Sequence, residues 1–407
     1  MKKEPESGYI KAFGCSLVSN SIDPTMPIES PLFHYIRMSQ FGGELSSSNE
    51  NWDDIFMAAK EQAVLGIVAS VVPAEIKKCD SRWLEYSYRQ VANFACYIHA
   101  QDKLCSIMNG AGISFVILKG SAAAIYYKAP SERTMGDIDF QVAPDDFEKT
   151  RTLLIDNGYL LDISSEEHDR HLSFTKDGVQ FELHRKFSHE EVNLEDYIEP
   201  GISAFETKVI DGHAFPMLPK LPNGLVLLDH MKLHLKTGLG LRQVVDWMMY
   251  VHAELDDRFW NDEFGVVAKA KGLDTLAKVT TRACQIYLGL DQSISWCREA
   301  NEETCRMLMD NLLTSGNFGR KQGSGNKVVA VTTAFRREGV FKQLQHTGEH
   351  TWKAYKKHHC LKPFCWFYQI FRYIKQGLKT GRSRKQIKGD LERSKERYEL
   401  LKRLGIS

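Results

Sequence analysis

Apolar residues recur at three- and four-residue spacing in two early stretches of the chain, Asn51 to about Val72 and Ser81 to about Gly110. In the second, Trp83, Tyr86, Val91, Phe94, Ile98 and Leu104 keep the interval. This period predicts amphipathic helices. The residues up to about Asn20 show no period. From Ile113 the pattern shortens. Ile113 to Leu118 is a β-branched run that predicts a strand, and alanine-rich Ser121 to Lys128 predicts a short helix opening on a Gly-Ser turn. Ala129 to Gly136 reads as loop, and Asp137 to Val142 as the next strand. Pro144-Asp145-Asp146 opens a helix that Asn157-Gly158 ends. Tyr159 to Ile163, Leu172 to Lys176 and Val179 to Phe187 read as strands, the last two joined by the hairpin signal Asp177-Gly178. After Pro222 the helical period returns in Leu225 to about Leu255, Phe264 to Ala270, Leu276 to Leu288 and Thr304 to Leu313. Gly316 to Gly325 reads as a glycine-rich loop.

These elements predict an α+β protein. A small mixed-sheet core over 111–222 is flanked by a helical region 1–110, a helical domain 223–345 and basic, aromatic-rich helices over 346–407. With 407 residues, 43% hydrophobic and 26% charged, the chain can bury a large core and is ordinary in composition. No apolar run approaches the ~18 residues of a spanning helix. The opening Met1-Lys2-Lys3-Glu4-Pro5-Glu6-Ser7 lacks the apolar centre of a secretory signal. Nine cysteines without a C-x-x-C pair favour reduced thiols and a cytoplasmic setting. The net charge of +1 hides an asymmetry. From Thr351 to Ser407, 16 Lys and Arg face four Asp and Glu, a balance of +12, so the rest of the chain carries −11. The acidic body and the basic tail need separate explanations.

The chemistry concentrates in the middle third. Asp137 and Asp139, one residue apart on a strand, point the same way. Their repulsion needs an offset, which a shared proton or a divalent cation would supply. Upstream, Lys119-Gly120-Ser121 follows an apolar run and reads as a strand-to-turn junction whose backbone N–H groups can receive a phosphate. Downstream, Phe181 and Leu183 alternate with Glu182 and His184, so these two share a face. Glu182 is the candidate third carboxylate, as metal ligand or general base, with His184 orienting it or contacting phosphate. Lys119 and Arg133 are candidates to neutralise phosphate charge. Each also has an ordinary reading, Lys119 as a solvated strand end and Arg133 as a partner of Asp137 or Glu132. A lone D-x-D is common. Joined to Lys-Gly-Ser and Glu-x-His, it points to Mg²⁺-dependent handling of a nucleoside triphosphate, with two ions possible.

Gly120-Ser121, Gly136-Asp137-Ile138-Asp139-Phe140 and Glu182 together resemble the pattern of the DNA polymerase beta superfamily. The order Leu118-Lys119-Gly120, Arg133 to Asp139, Gly158-Tyr159 and Glu182-Leu183-His184 resembles more closely the bacterial group called nucleotidyltransferase family 5. His230-x-x-x-His234 and Gly238 to Trp247 extend the likeness, which covers roughly residues 50 to 260. The gap from Ser121 to Asp137 is longer than is typical, which marks the Arg133 loop as specialised. The resemblance implies the fold and a magnesium-dependent transfer of a nucleoside monophosphate from an NTP to a hydroxyl, with release of pyrophosphate. It implies no acceptor.

Other motifs have competing readings. His230 and His234 lie one helical turn apart, but no third ligand stands at a zinc spacing, so the helix is expected to pack beside the sheet with a histidine near the nucleotide. Arg242 and Asp246 are expected to pair at i, i+4. His346, His350, His358, His359, Cys360 and Cys365 fit no known zinc module. Pro363 to Lys375 is aromatic and flanked by bases. It reads as a helix packed on the body, or as a surface for a membrane, an acidic glycan or RNA, with nucleic acid not an expected partner. Gly389 to Leu404 alternates in charge and reads as a frayed surface helix. The alternatives to catalysis are a nucleotide-binding or interaction protein without turnover, and a peripheral membrane or glycan-associated protein anchored by its tail.

Overall fold

The computed structural model describes residues 30–43, 50–167, 170–188, 191–317, 326–380 and 383–406. The unpatterned segment up to Asn20 lies outside them, as does most of the glycine-rich loop. The fold is α+β. Seven strands form one mixed sheet: β1 Phe115–Leu118, β2 Ile138–Val142, β3 Leu160–Leu161, β4 His171–Lys176, β5 Val179–His184, β6 Glu206–Ile210 and β7 His213–Met217. Their order is β3-β4-β5-β2-β1-β7-β6. The central pairing of β2 with β5 is parallel, and β1 runs antiparallel to β2 and parallel to β7.

The two-residue period of a strand sends alternate side chains to different cores. Phe115 and Ile117 of β1 join one apolar cluster with Ile138, Phe140, Val142, Phe181 and Leu183. Val116 and Leu118 join a second, larger cluster built mostly from helices. Asp139, Glu182 and His184 alternate with residues of the first cluster, so they lie on the sheet face turned toward the helices.

The helix Ser81–Gly110 forms as its spacing predicts, with the Asp80 carboxylate accepting from the Arg82 N–H at its start. Its Gln90, Tyr97 and Gln101 side chains hold the site's loops, as described below. The expected helix from Asn51 to Val72 is two helices, Trp52–Glu61 and Leu65–Val71, separated near Ala63 at φ 56°. The stretch expected as one helix from Leu225 is also two, Lys220–Leu235 and Leu241–Glu254, because Gly238 and Gly240 break it. The strand expected over Tyr159 to Ile163 is only the two-residue β3, followed by a 3₁₀ turn. The C-terminal helix Arg384–Arg403 is a packed element, not a frayed one. Asp390, Ser394 and Arg397 are buried, and Leu400, Leu401 and Leu404 enter the larger cluster. The alternating charges of the helix mask that apolar stripe in the sequence.

Candidate functional site

The site begins with register. Asp139 on β2 stands opposite Glu182 on β5 and opposite Leu118 on β1. Asp137 lies one residue ahead of β2, half-buried, and lines the same pocket. The chain leaves β1 through Lys119, whose backbone sits at φ 50° and ψ −127°, a strained region for a residue with a side chain. Gly120 follows at φ 26° and opens the short helix Gly120–Ala124. That turn aims the Lys119 ammonium at Asp139, with Nζ 2.6 Å from Oδ1 and 5.3 Å from the centre of the Phe187 ring.

Asp139 is 1% exposed and carries two partners. His184 Nε2 lies 2.8 Å from the same Oδ1 that Lys119 touches. A carboxylate only accepts, so Nε2 donates. The imidazole Nδ1 is buried and has no hydrogen-bond partner among the described residues. Glu182 Oε2 lies 3.6 Å from His184 Nε2, and Glu182 Oε1 lies 3.8 Å from His171 Nε2.

These groups share too much negative charge. Burial pushes Asp139 up, but the Lys119 ammonium and the His184 hydrogen bond outweigh it, leaving Asp139 well below the usual carboxylate range. Asp137 is raised by the Asp139 charge and then by burial. Glu182 is pushed up to about 8 by burial and by Asp139. One ammonium therefore keeps one carboxylate ionised while the other two resist losing their protons. A divalent cation would supply the missing charge, and the donor set could hold one: ligand atoms of Asp139, Glu182 and His184 lie within 4.8 Å of one another. Asp137, expected among the closest ligands, is outside that tight group, and His184 is inside it.

The pocket measures about 240 Å³. Its floor is Lys119, Gly120, Asp137, Asp139, Glu182 and His184. Its far wall is the helix Lys220–Leu235, which contributes Asp229, His230, Leu233 and His234, with Arg242 from the next helix. His230 and His234 bring their Nε2 atoms to 2.9 Å. Burial, and then the Lys119 charge, hold His230 well below the usual histidine value, so its ring is neutral.

Three expected residues have more structural surroundings than their motifs imply. Ser121 is buried, donates to Gln101 Oε1 at 2.7 Å, and does not line the pocket. Arg133 reaches the pocket edge, but its guanidinium is forked onto Asp246, Nε to Oδ1 at 2.7 Å and Nη2 to Oδ2 at 2.8 Å. Tyr127 donates to the same carboxylate at 2.7 Å. Asp246, expected to pair with Arg242, takes this bidentate contact from Arg133, whose two parallel bonds fit a carboxylate, and Arg242 keeps an electrostatic attraction to it. Arg242 Nη1 also donates to the Thr134 carbonyl at 2.9 Å.

The loop carrying Arg133 is fastened from the N-terminal side. Gln90 donates to the carbonyls of Ser131 and Arg133, and Tyr97 to that of Gly136. Gln40 and Ser39 donate to Glu132. Sequence reasoning misses Arg170, His171, Phe187 and Asp229 as lining residues. His171 is within its reach, since β4 places it opposite His184 in the hairpin.

A profile of the family described as uncharacterised nucleotidyltransferase matches residues 48–289, more than half of the chain, and the chain belongs to that family. Membership carries a general nucleotidyl transfer activity and a nucleotide substrate. An antigenic nucleotidyltransferase-like protein from Paracoccidioides brasiliensis, known from a crystal structure, is similar at 13% identity and a TM-score of 0.32, over 48% of this chain and 92% of that one. No curated protein matches the chain. Among the described residues, no helix is long and apolar enough to cross a membrane.

Proposed function

We propose that the chain transfers a nucleoside monophosphate from an NTP to a hydroxyl acceptor and releases pyrophosphate. The observation that carries this reading is the register that sets Asp139 beside Glu182, with Lys119 bonded to Asp139 at the start of the helix Gly120–Ala124. Asp137, Asp139 and Glu182 would hold Mg²⁺, with two ions possible and His184 beside them. The cation, when bound, offsets phosphate charge and polarises the α-phosphate.

The chain's own groups do the rest. The Gly120 turn offers backbone N–H groups, and Lys119 exchanges its contact with Asp139 for one with the triphosphate. Arg170 and Arg242 line the pocket as further cations, while Arg133 holds its loop through Asp246. The acceptor oxygen attacks the α-phosphorus in line, the bond to the β-phosphate oxygen breaks, and the hydroxyl proton passes to Glu182. The buried floor and the helical wall keep bulk water from competing as acceptor.

The test is calorimetry of the four NTPs with and without Mg²⁺, on the unmodified protein and on Asp139→Asn. One nucleotide should bind in a Mg²⁺-dependent manner, with affinity lowered at least about tenfold by the substitution. Unchanged nucleotide and Mg²⁺ affinity in Asp139→Asn would overturn the reading. Nucleotide labelled at the α-phosphate then identifies the acceptor by what retains the label.

A further inference from the structure

The aromatic tail remains outside this chemistry. Its helix Cys365–Thr380 is pressed on the helix Val340–Thr351, where a Cβ on Gly348 would lie 2.2 Å from the Cys365 carbonyl oxygen. Cys365 and Gln369 are buried, Trp352 stacks on Tyr368 at 4.9 Å, and Phe335 meets Tyr373. That face is satisfied. The other is not. Phe364, Phe367 and Phe371 are 58%, 61% and 63% exposed, and they recur at three- and four-residue spacing. Phe341, 63% exposed, continues the patch: its ring lies 5.8 Å from Trp366, which lies 5.8 Å from Phe367. At roughly 200 Å² per phenylalanine, the four rings leave about 500 Å² of apolar surface in water. That is at the upper end of what a monomer ordinarily exposes.

Along this segment the chain's own charges have one sign, and Glu349 of the neighbouring helix approaches Lys362 at 3.8 Å. From Trp352 to Lys375 the chain holds Lys353, Lys356, Lys357, Lys362, Arg372 and Lys375, and no Asp or Glu. Lys353, Lys356, Lys357, Lys362 and Lys375 are exposed. A row of exposed phenyl rings in a segment of exposed lysines is complementary to a layer that is apolar beneath and negative on top. We propose that this helix lies on a membrane surface of anionic phospholipid, with Phe364, Phe367 and Phe371 in the acyl boundary and the lysines among the headgroups. Phenylalanine offers no hydrogen-bond group to a base edge, and its helical spacing is that of an interfacial helix, so lipid is favoured over RNA. The helix rests on the surface; it does not cross.

Flotation of the full chain tests this, with vesicles of equal parts phosphatidylglycerol and phosphatidylcholine against phosphatidylcholine alone. The protein should float with the anionic vesicles only, and added salt should weaken the association. The paired substitution Phe367→Asp and Phe371→Asp should reduce flotation about tenfold or more. Lys353→Glu with Lys357→Glu should reduce it at low salt. All four side chains are exposed, so the melting temperature and nucleotide binding should stay unchanged. Flotation of the aspartate variant equal to that of the unmodified protein would overturn the proposal. So would equal binding to both vesicles, no binding to either, or a lysine-dependent shift of single-stranded RNA without vesicle binding. The nucleotide reading survives any of these results.

Discussion

Lys119 is held in a conformation that a side chain disfavours, and it spends its charge on a carboxylate that a cation would also claim. Two effects oppose each other in Lys119→Gly. Relief of backbone strain is worth about 1–3 kcal/mol. Leaving a buried carboxylate without its ammonium costs about 3–5 kcal/mol. The loss is larger, so Lys119→Gly should be less stable by about 2 kcal/mol in EDTA, read by denaturant unfolding, and Mg²⁺ should narrow the deficit. Lys119→Met keeps the strain and loses the charge, so it should fall further. Glu182 gives a pH dependence with a definite sign. Its carboxyl rises from an ordinary 4.5 to about 8, so the folded chain binds this proton more tightly than the unfolded chain. The stability it contributes is fully present below about pH 4.5 and is lost as pH rises through about 8. A cation offsets that loss. The gain in melting temperature from Mg²⁺ over EDTA should therefore widen between about pH 5 and about pH 8, and Glu182→Gln should flatten it.

At the scale of elements, the pocket's far wall depends on a close crossing. Gly224 of the helix Lys220–Leu235 sits against Tyr250 of the next helix, and a Cβ there would come within 2.4 Å of the ring. Gly224→Ala overpacks that contact and should cost about 1–3 kcal/mol, with weaker nucleotide binding as His230 shifts. Thermal melts and calorimetry on one sample separate the two effects. Much of this scale is legible in the sequence. The helix Ser81–Gly110 follows from its spacing, and the Asp177-Gly178 hairpin brings Glu182 back beside Asp139. The hairpin of β6 and β7 escapes notice although Asp211-Gly212 carries the same turn signal, with both residues at positive φ. Its strands alternate weakly because β6 is an exposed edge. Partner choice is the least legible feature. Asp246 has an arginine one turn away on its own helix, and only tertiary folding brings Arg133 to it from 113 residues away.

Across the whole molecule, one apolar cluster joins the early helix Pro31–Phe41, the pocket-wall helix and the last helix, through Leu32, Leu228 and Leu401 among others. Arg397 reinforces the C-terminal end of that assembly by donating to the Ser315 hydroxyl and to the Thr237 carbonyl, the latter at 3.5 Å. Leu401→Ala should therefore cost about 2–5 kcal/mol despite lying far along a charged helix, and a melt should show a single transition moved downward. The parallel pairing of β2 with β5 has a consequence for synthesis. Asp139 and Glu182 are neighbours only after the intervening crossover has folded, and the wall facing them is not complete until Arg242 has been added. A nascent chain released at Lys176 carries both aspartates but not Glu182. On the proposed function, nucleotide capture should start late on the ribosome, and its onset in a series of stalled chains would time the closing of the sheet.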